Sequence, residues 1–120
     1  MANEGYFTVT LKATKSGATV DHTVSKRFSM TGAEMIQATQ NIGTTAETVS
    51  FGGITGAPQM LLIHNLDSTN YVELGGDSGL TVFKIKVLPN SPALVTLSSG
   101  TLYAKANTAA CNILVEAVEI

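Results

Sequence analysis

Charge is what this chain has least of. Asp, Glu, Lys and Arg make up only 13% of its 120 residues, about half the usual share. Thr, Ser, Gly, Asn and Ala fill the positions where charges often stand, which suits a surface built to meet other protein. The seven basic residues are scattered, with Lys26-Arg27 and the Lys84/Lys86 pair as the only local concentrations. A surface that tracks phosphates needs more than this, so direct nucleic-acid binding is not expected. Cys111 stands alone, which excludes an intrachain disulfide and leaves nothing to indicate a secretory redox environment. No apolar run reaches the roughly 18 residues of a membrane-spanning helix, and no membrane partner is expected. Met1-Ala2-Asn3-Glu4 lacks the basic and apolar regions of a signal peptide, so folding in cytoplasm is the expectation.

A helical stripe is missing too, since no segment sustains one over more than a couple of turns. Alternation of period two dominates instead, the mark of strands with one face turned to a core. Phe7, Val9 and Leu11 share one face of the first run, and Val20, His22, Val24, Lys26 and Phe28 alternate less cleanly through the second. Residues 34–42 are ambiguous because Met35, Ile36 and Ala38 also suit a short helix, but the Thr-rich continuation favours a strand. A short strand over 48–51 precedes a loop over 52–58. Residues 59–65 form the strongest central strand, apolar on both faces in its middle, and are predicted to pair as a hairpin with the strand over 71–74. The next strand spans 81–88, with Phe83, Ile85 and Val87 inward and Lys84 and Lys86 outward. Pro89-Asn90-Ser91-Pro92 stops it, because proline supplies no amide to a ladder. Strands over 93–97, 101–106 and 111–119 complete the chain. Eight or nine short strands in one domain over 1–120 predict an all-β fold, a β-sandwich of jelly-roll type, with an up-and-down barrel as the competitor.

Chemistry-bearing residues are few. A metal site needs three or four convergent ligands, and His22, His64 and Cys111 exhaust the imidazoles and thiols, so no metal or cofactor is expected. His64 reads as structural, His22 as surface or edge, and Cys111 as a small buried hydrophobe. Asp77, with Asp67 and Glu73 nearby, fails the EF-hand spacing and reads as a turn residue. Glu116 and Glu119 do not share a strand face, which argues against a glycosidase-like pair. Gly52-Gly53-Ile54-Thr55-Gly56 lacks the lysine and following helix of a phosphate loop. Tyr6, Tyr71 and Tyr103 are ordinary in number for a β domain, although an aromatic platform for sugar would draw on them. The expected role is non-enzymatic.

The run Leu61-Leu62-Ile63-His64-Asn65-Leu66-Asp67-Ser68-Thr69-Asn70-Tyr71-Val72-Glu73-Leu74-Gly75 resembles small structural proteins from the virion modules of tailed bacteriophages. The likeness continues through Asp77-Ser78-Gly79, Pro89-Asn90-Ser91-Pro92, Ser99-Gly100-Thr101-Leu102-Tyr103-Ala104-Lys105-Ala106 and Thr108-Ala109-Ala110, about half of the chain. It implies a β-rich virion protein made in the bacterial host cytoplasm, and it transfers no catalytic or binding residue. The same residues have a plain physical reading, in which Asn65 and Asp67 accept backbone amides, Asn70 closes the turn, and glycines take positive φ. A capsid cement or decoration protein is the leading expectation, with a neck, tail or baseplate component and a carbohydrate- or receptor-binding module as alternatives. Its partners would be its own copies, as a homotrimer, and a major capsid or other virion protein. Thr101, Leu102, Tyr103 and Ala104 are the candidate interface residues.

Overall fold

The structure, a computed structural model, describes residues 4–30, 34–54, 58, 60–98 and 100–119. It is all-β, with ten strands and no helix among the described residues. The chain divides into two compact units, Met1–Thr31 and Gly32–Ile120.

The first unit is a hairpin of two 11-residue strands, β1 (Gly5–Lys15) and β2 (Ala18–Phe28), paired antiparallel from Gly5↔Phe28 to Lys15↔Ala18. Ser16 (φ 53°) and Gly17 (φ 82°) make the connection. Two consecutive positive φ values define a type I′ turn, whose twist matches that of the strands it joins. The register sorts the side chains into two faces. Thr8 and Ser25, Thr10 and Thr23, and Thr14 and Thr19 link hydroxyls across one face at 3.0, 3.0 and 3.3 Å. Phe7, Val9, Leu11, Ala13, Val20 and Val24 share the other.

The second unit is a two-sheet sandwich. Its strands are β3 (Met35–Ile42), β4 (Glu47–Thr48), β5 (Met60–Asn65), β6 (Val72–Gly75), β7 (Lys84–Val87), β8 (Pro92–Val95), β9 (Tyr103–Ala106) and β10 (Cys111–Val118). One sheet has the order β3-β10-β5-β8 and the other β4-β9-β6-β7, with every pairing antiparallel. First strand pairs with last, second with second-last, and so inward to β6 and β7, as if one long hairpin had been rolled up on itself. The roll is closed by β10 against β5 and by β9 against β6. The ambiguous 34–42 segment is strand β3, as its Thr-rich continuation indicates.

Strict alternation builds the core. Ile113, Val115 and Ala117 of β10, Leu61 and Ile63 of β5, Val72 and Leu74 of β6, and Leu102, Ala104 and Ala106 of β9 are all buried between the sheets. Each large apolar side chain so buried contributes about 1.5–3 kcal/mol of transfer free energy. The residues of this core and those packed against it run from Ile36 to Ala117, and the alternation of residues 6–12 and 20–28 orders the hairpin of the first unit.

Two expectations need correction. The predicted hairpin of residues 59–65 with 71–74 does not form, because β5 and β6 lie in opposite sheets and residues 66–71 carry the chain across the sandwich. The strand predicted to start at residue 81 starts at Lys84. Asp77 is the reason: its carboxylate accepts from the amides of Thr81 (2.7 Å) and Val82 (3.0 Å) and from the Thr81 hydroxyl (2.7 Å), which holds both residues in the preceding turn. Phe83 is consequently 37% exposed rather than inward. That turn is packed so closely that a Cβ on Gly75 would stand 2.8 Å from the Phe83 carbonyl oxygen. Residues 55–57, Gln59 and Ser99 lie outside the described residues, so the loop read over 52–58 is described only at residues 52–54 and 58.

Candidate interaction surfaces

Asn65, Asp67 and Asp77 serve the turns. Asn65 is fully buried on β5. Its Nδ2 donates to the carbonyls of Asn70 (2.8 Å) and Val87 (3.2 Å), and its Oδ1 accepts from the Asp67 amide (3.0 Å). Asp67 in turn accepts from the amides of Asn70 and Thr69, the latter at 2.9 Å. Those two amides, Asn70 first, hold its carboxyl below the usual carboxylate range. The Val82 amide, followed by the Thr81 hydroxyl and amide, does the same for Asp77. Such bonds favour the charged form, because only the carboxylate offers all its lone pairs. Among the described residues no three His, Cys, Asp or Glu side chains converge as metal ligands would. Cys111 is buried, with its thiol pushed up by burial and then by the negative charge of Asp67. His22 is exposed on the hairpin, and His64 is half-buried on the outward side of β5.

The four candidate interface residues split by parity. Leu102 and Ala104 are 1% and 0% exposed and belong to the core, so they present no side chain to a partner. Thr101 is exposed and Tyr103 half-buried, both on the outer side. A strand buried on one face can offer only alternate residues, a limit that naming the whole run overlooked.

Tyr103 belongs to the outer face of the β4-β9-β6-β7 sheet. Lys84, Lys86 and Lys105 lie there with Glu73, opposite which the register sets Lys86 on one side and Lys105 on the other. The Lys84 ammonium is 3.7 Å from the Glu73 carboxylate, and that of Lys86 stands 4.3 Å from the centre of the Tyr71 ring. All the basic residues of the sandwich unit are on this one face.

The outer face of the other sheet is different. Met35, Met60, Leu62, Leu94, Leu114 and Val118 alternate with the core residues of β3, β5, β8 and β10, and so all point outward. Glu116 is the only charged residue among the strand positions of this face, its carboxylate accepting from the Gln37 amide group at 2.9 Å. Neither Lys nor Arg occurs there.

The hairpin carries the largest exposed apolar side chains of the first unit. Tyr6, Val9, Leu11, Val20 and Val24 are 43–71% exposed in the single chain. Periodicity alone had brought these residues to notice, but it does not say what covers them. At the open edge of the sandwich, where β7 and β8 are the outermost strands, Val82, Phe83, Ile85, Val95 and Leu97 line an apolar cleft of about 550 Å³. No family model matches the chain, and no curated protein or solved structure matches it either.

Proposed function

We propose that the chain is a non-enzymatic structural module of a tailed-phage virion, a capsid cement or decoration protein that works by packing against its own copies and a major capsid protein. The observation that carries this reading is the apolar face of the β1–β2 hairpin, over which its own two-stranded unit places no second layer. An isolated two-stranded hairpin is marginal in water and gains stability when another layer covers its apolar face. Interfaces that work this way are poor in charge at their centres, which is the bias of this composition. The strand orders of the two sheets support the jelly-roll reading, an architecture common to virus capsid proteins. The resemblance of residues 61–110 to tailed-phage virion proteins supplies the setting: synthesis in the bacterial host cytoplasm and a final place in the virion, with a homotrimer as the assembly. The same reading serves a neck, tail or baseplate position.

A carbohydrate- or receptor-binding role has one observation beside it, the outward Tyr71 and Tyr103 on a face with Glu73. Lys86 covers the Tyr71 ring, however, and a sugar would have to displace that cation. Electron microscopy and peptide mass spectrometry of particles made from the encoding genome test the proposal. A sandwich-sized density repeated over the capsid lattice is expected. Density at the neck, tail or baseplate would move the module there, and absence of its peptides from purified particles would overturn the virion reading.

A further inference from the structure

The two outward faces described above, each with a set of apolar side chains, differ in the sign of their few charges. On its apolar face the hairpin carries Lys15, Lys26 and His22 and no acid, because Asp21 points to the hydroxyl face. The outer face of the β3-β10-β5-β8 sheet carries Glu116 and His64 at its strand positions and neither Lys nor Arg. The units as wholes differ in the same sense. Lys12, Lys15, Lys26 and Arg27 against Glu4 and Asp21 leave the hairpin unit two net positive charges, whereas three lysines against seven carboxylates leave the sandwich unit four net negative ones.

We infer that the apolar face of the β1–β2 hairpin docks on the outer face of the β3-β10-β5-β8 sheet of a second copy of this chain. Two sheets pack face to face at about 10 Å when their facing side chains are apolar. Here Val9, Leu11, Val20 and Val24 meet Leu62, Leu94, Leu114 and Val118. The other surfaces fit less well. The outer face of the β4-β9-β6-β7 sheet repels the hairpin with three lysines, a second hairpin would set Lys15 and Lys26 against their like, and the 550 Å³ cleft is too small for a flat two-stranded face.

Area decides how the copies combine. The hairpin's 11-residue strands outrun the sheet, whose longest strands have eight residues, so the shared face is about 27 by 10 Å and one docking buries about 540 Å² over both partners. That is far below the roughly 1,000 Å² a specific interface should clear, but exchange of hairpins in both directions doubles it to about 1,100 Å². Such a reciprocal exchange closes as a two-fold dimer, in which every hairpin is docked and every sheet face covered; a homotrimer would share only one docking between each pair of copies, so the docking departs from the trimer at this point.

The inference rests on the self-assembly part of the proposed function, and the test separates the two. The full chain is measured by size exclusion with light scattering at micromolar concentration, as wild type, Leu11→Glu, Thr10→Glu and Glu116→Lys. Wild type and Thr10→Glu, a change on the hydroxyl face, should run as the same oligomer. Leu11→Glu should run at 12.5 kDa, and Glu116→Lys should weaken association by about tenfold or more by setting like charges together. Circular dichroism melting of the sandwich should be unchanged in each, which excludes unfolding as the cause. Carbodiimide cross-linking of mixed heavy and light isotope-labelled copies should join Lys15 or Lys26 of one copy to Glu116 of another. A monomeric wild type would overturn both the inference and assembly in solution. A Leu11→Glu oligomer, or cross-links confined to single copies, would overturn the hairpin contact and leave self-assembly standing by another surface.

Discussion

Replacing Asn65 with leucine should cost the sandwich about 3 kcal/mol, because this one buried amide ties together the turns that separate the two sheets. Asn65 is fully buried, and its side chain makes three close hydrogen bonds, donating to the Asn70 and Val87 carbonyls and accepting from the Asp67 amide. Each contributes about 1 kcal/mol net, and a buried carbonyl left without a donor adds about 1–3 kcal/mol more. Leucine fills a similar volume and returns about 1–2 kcal/mol by burying apolar surface. The losses win. For a unit of this size the melting temperature should fall by about 12–24 °C, and urea unfolding followed by far-ultraviolet circular dichroism reads the same loss as a lower midpoint at unchanged slope. Asn65→Asp separates the donor from the acceptor. A carboxylate cannot donate to the Asn70 and Val87 carbonyls, so the charged form is disfavoured and the folded pKa rises above the unfolded value of about 3.9. The variant is therefore least damaged below that value and loses stability as pH rises through it toward the folded pKa. A loss under about 1 kcal/mol for the leucine variant, or a pH-independent loss for the aspartate, would refute the reasoning.

The native Cys111 thiol, 1% exposed and pushed up by burial and by Asp67, should resist thiol reagents and label only as urea opens the sandwich; fast labelling of folded protein would contradict this. Because the folded pKa values of Asp67 and Asp77 lie below the ordinary 3.8, their stabilisation is complete above that value and is lost as pH falls through the lower folded values. Asp77→Asn should therefore show a smaller drop in urea midpoint between pH 7 and pH 3 than the wild type. Gly17→Val places a β-branched residue at φ 82°, which costs about 1–2 kcal/mol. Amide exchange should quicken along β1 and β2 while the sandwich melts as before, and unchanged protection in the hairpin would count against the turn assignment.

Local physics was legible in the sequence wherever one residue type has one common use. Asn65, Asp67 and Asp77 were assigned to turns, and the side chain of each does accept or donate hydrogen bonds with the backbone there. The outward Lys84 and Lys86 and the inward Ile85 and Val87 follow from period two, as do the two apolar faces of β5. Pairing was less legible. Adjacent strands joined by a short turn suggest a hairpin, but residues 66–71 cross between sheets, and only the distant β10 reveals where β5 belongs. Half of the Thr101–Ala104 run, Leu102 and Ala104, lies in the core, because a low-charge strand with small side chains looks alike from its core face and its outer face.

The first thirty residues show the same ambiguity on a larger scale. Val9, Leu11, Val20 and Val24 alternate with threonines and a serine as strands of a sandwich do, yet a face that awaits a second molecule has the same pattern as one covered by its own chain. What distinguishes them is where the charges fall. On the hairpin, Lys15 and Lys26 bracket the apolar residues on their own side. Lys84, Lys86 and Lys105 crowd one outer face of the sandwich, and Glu116 stands alone on the other. In the docking inferred above, apolar area sets how strongly the hairpin binds, and these few side chains decide which of two similar sheets it chooses.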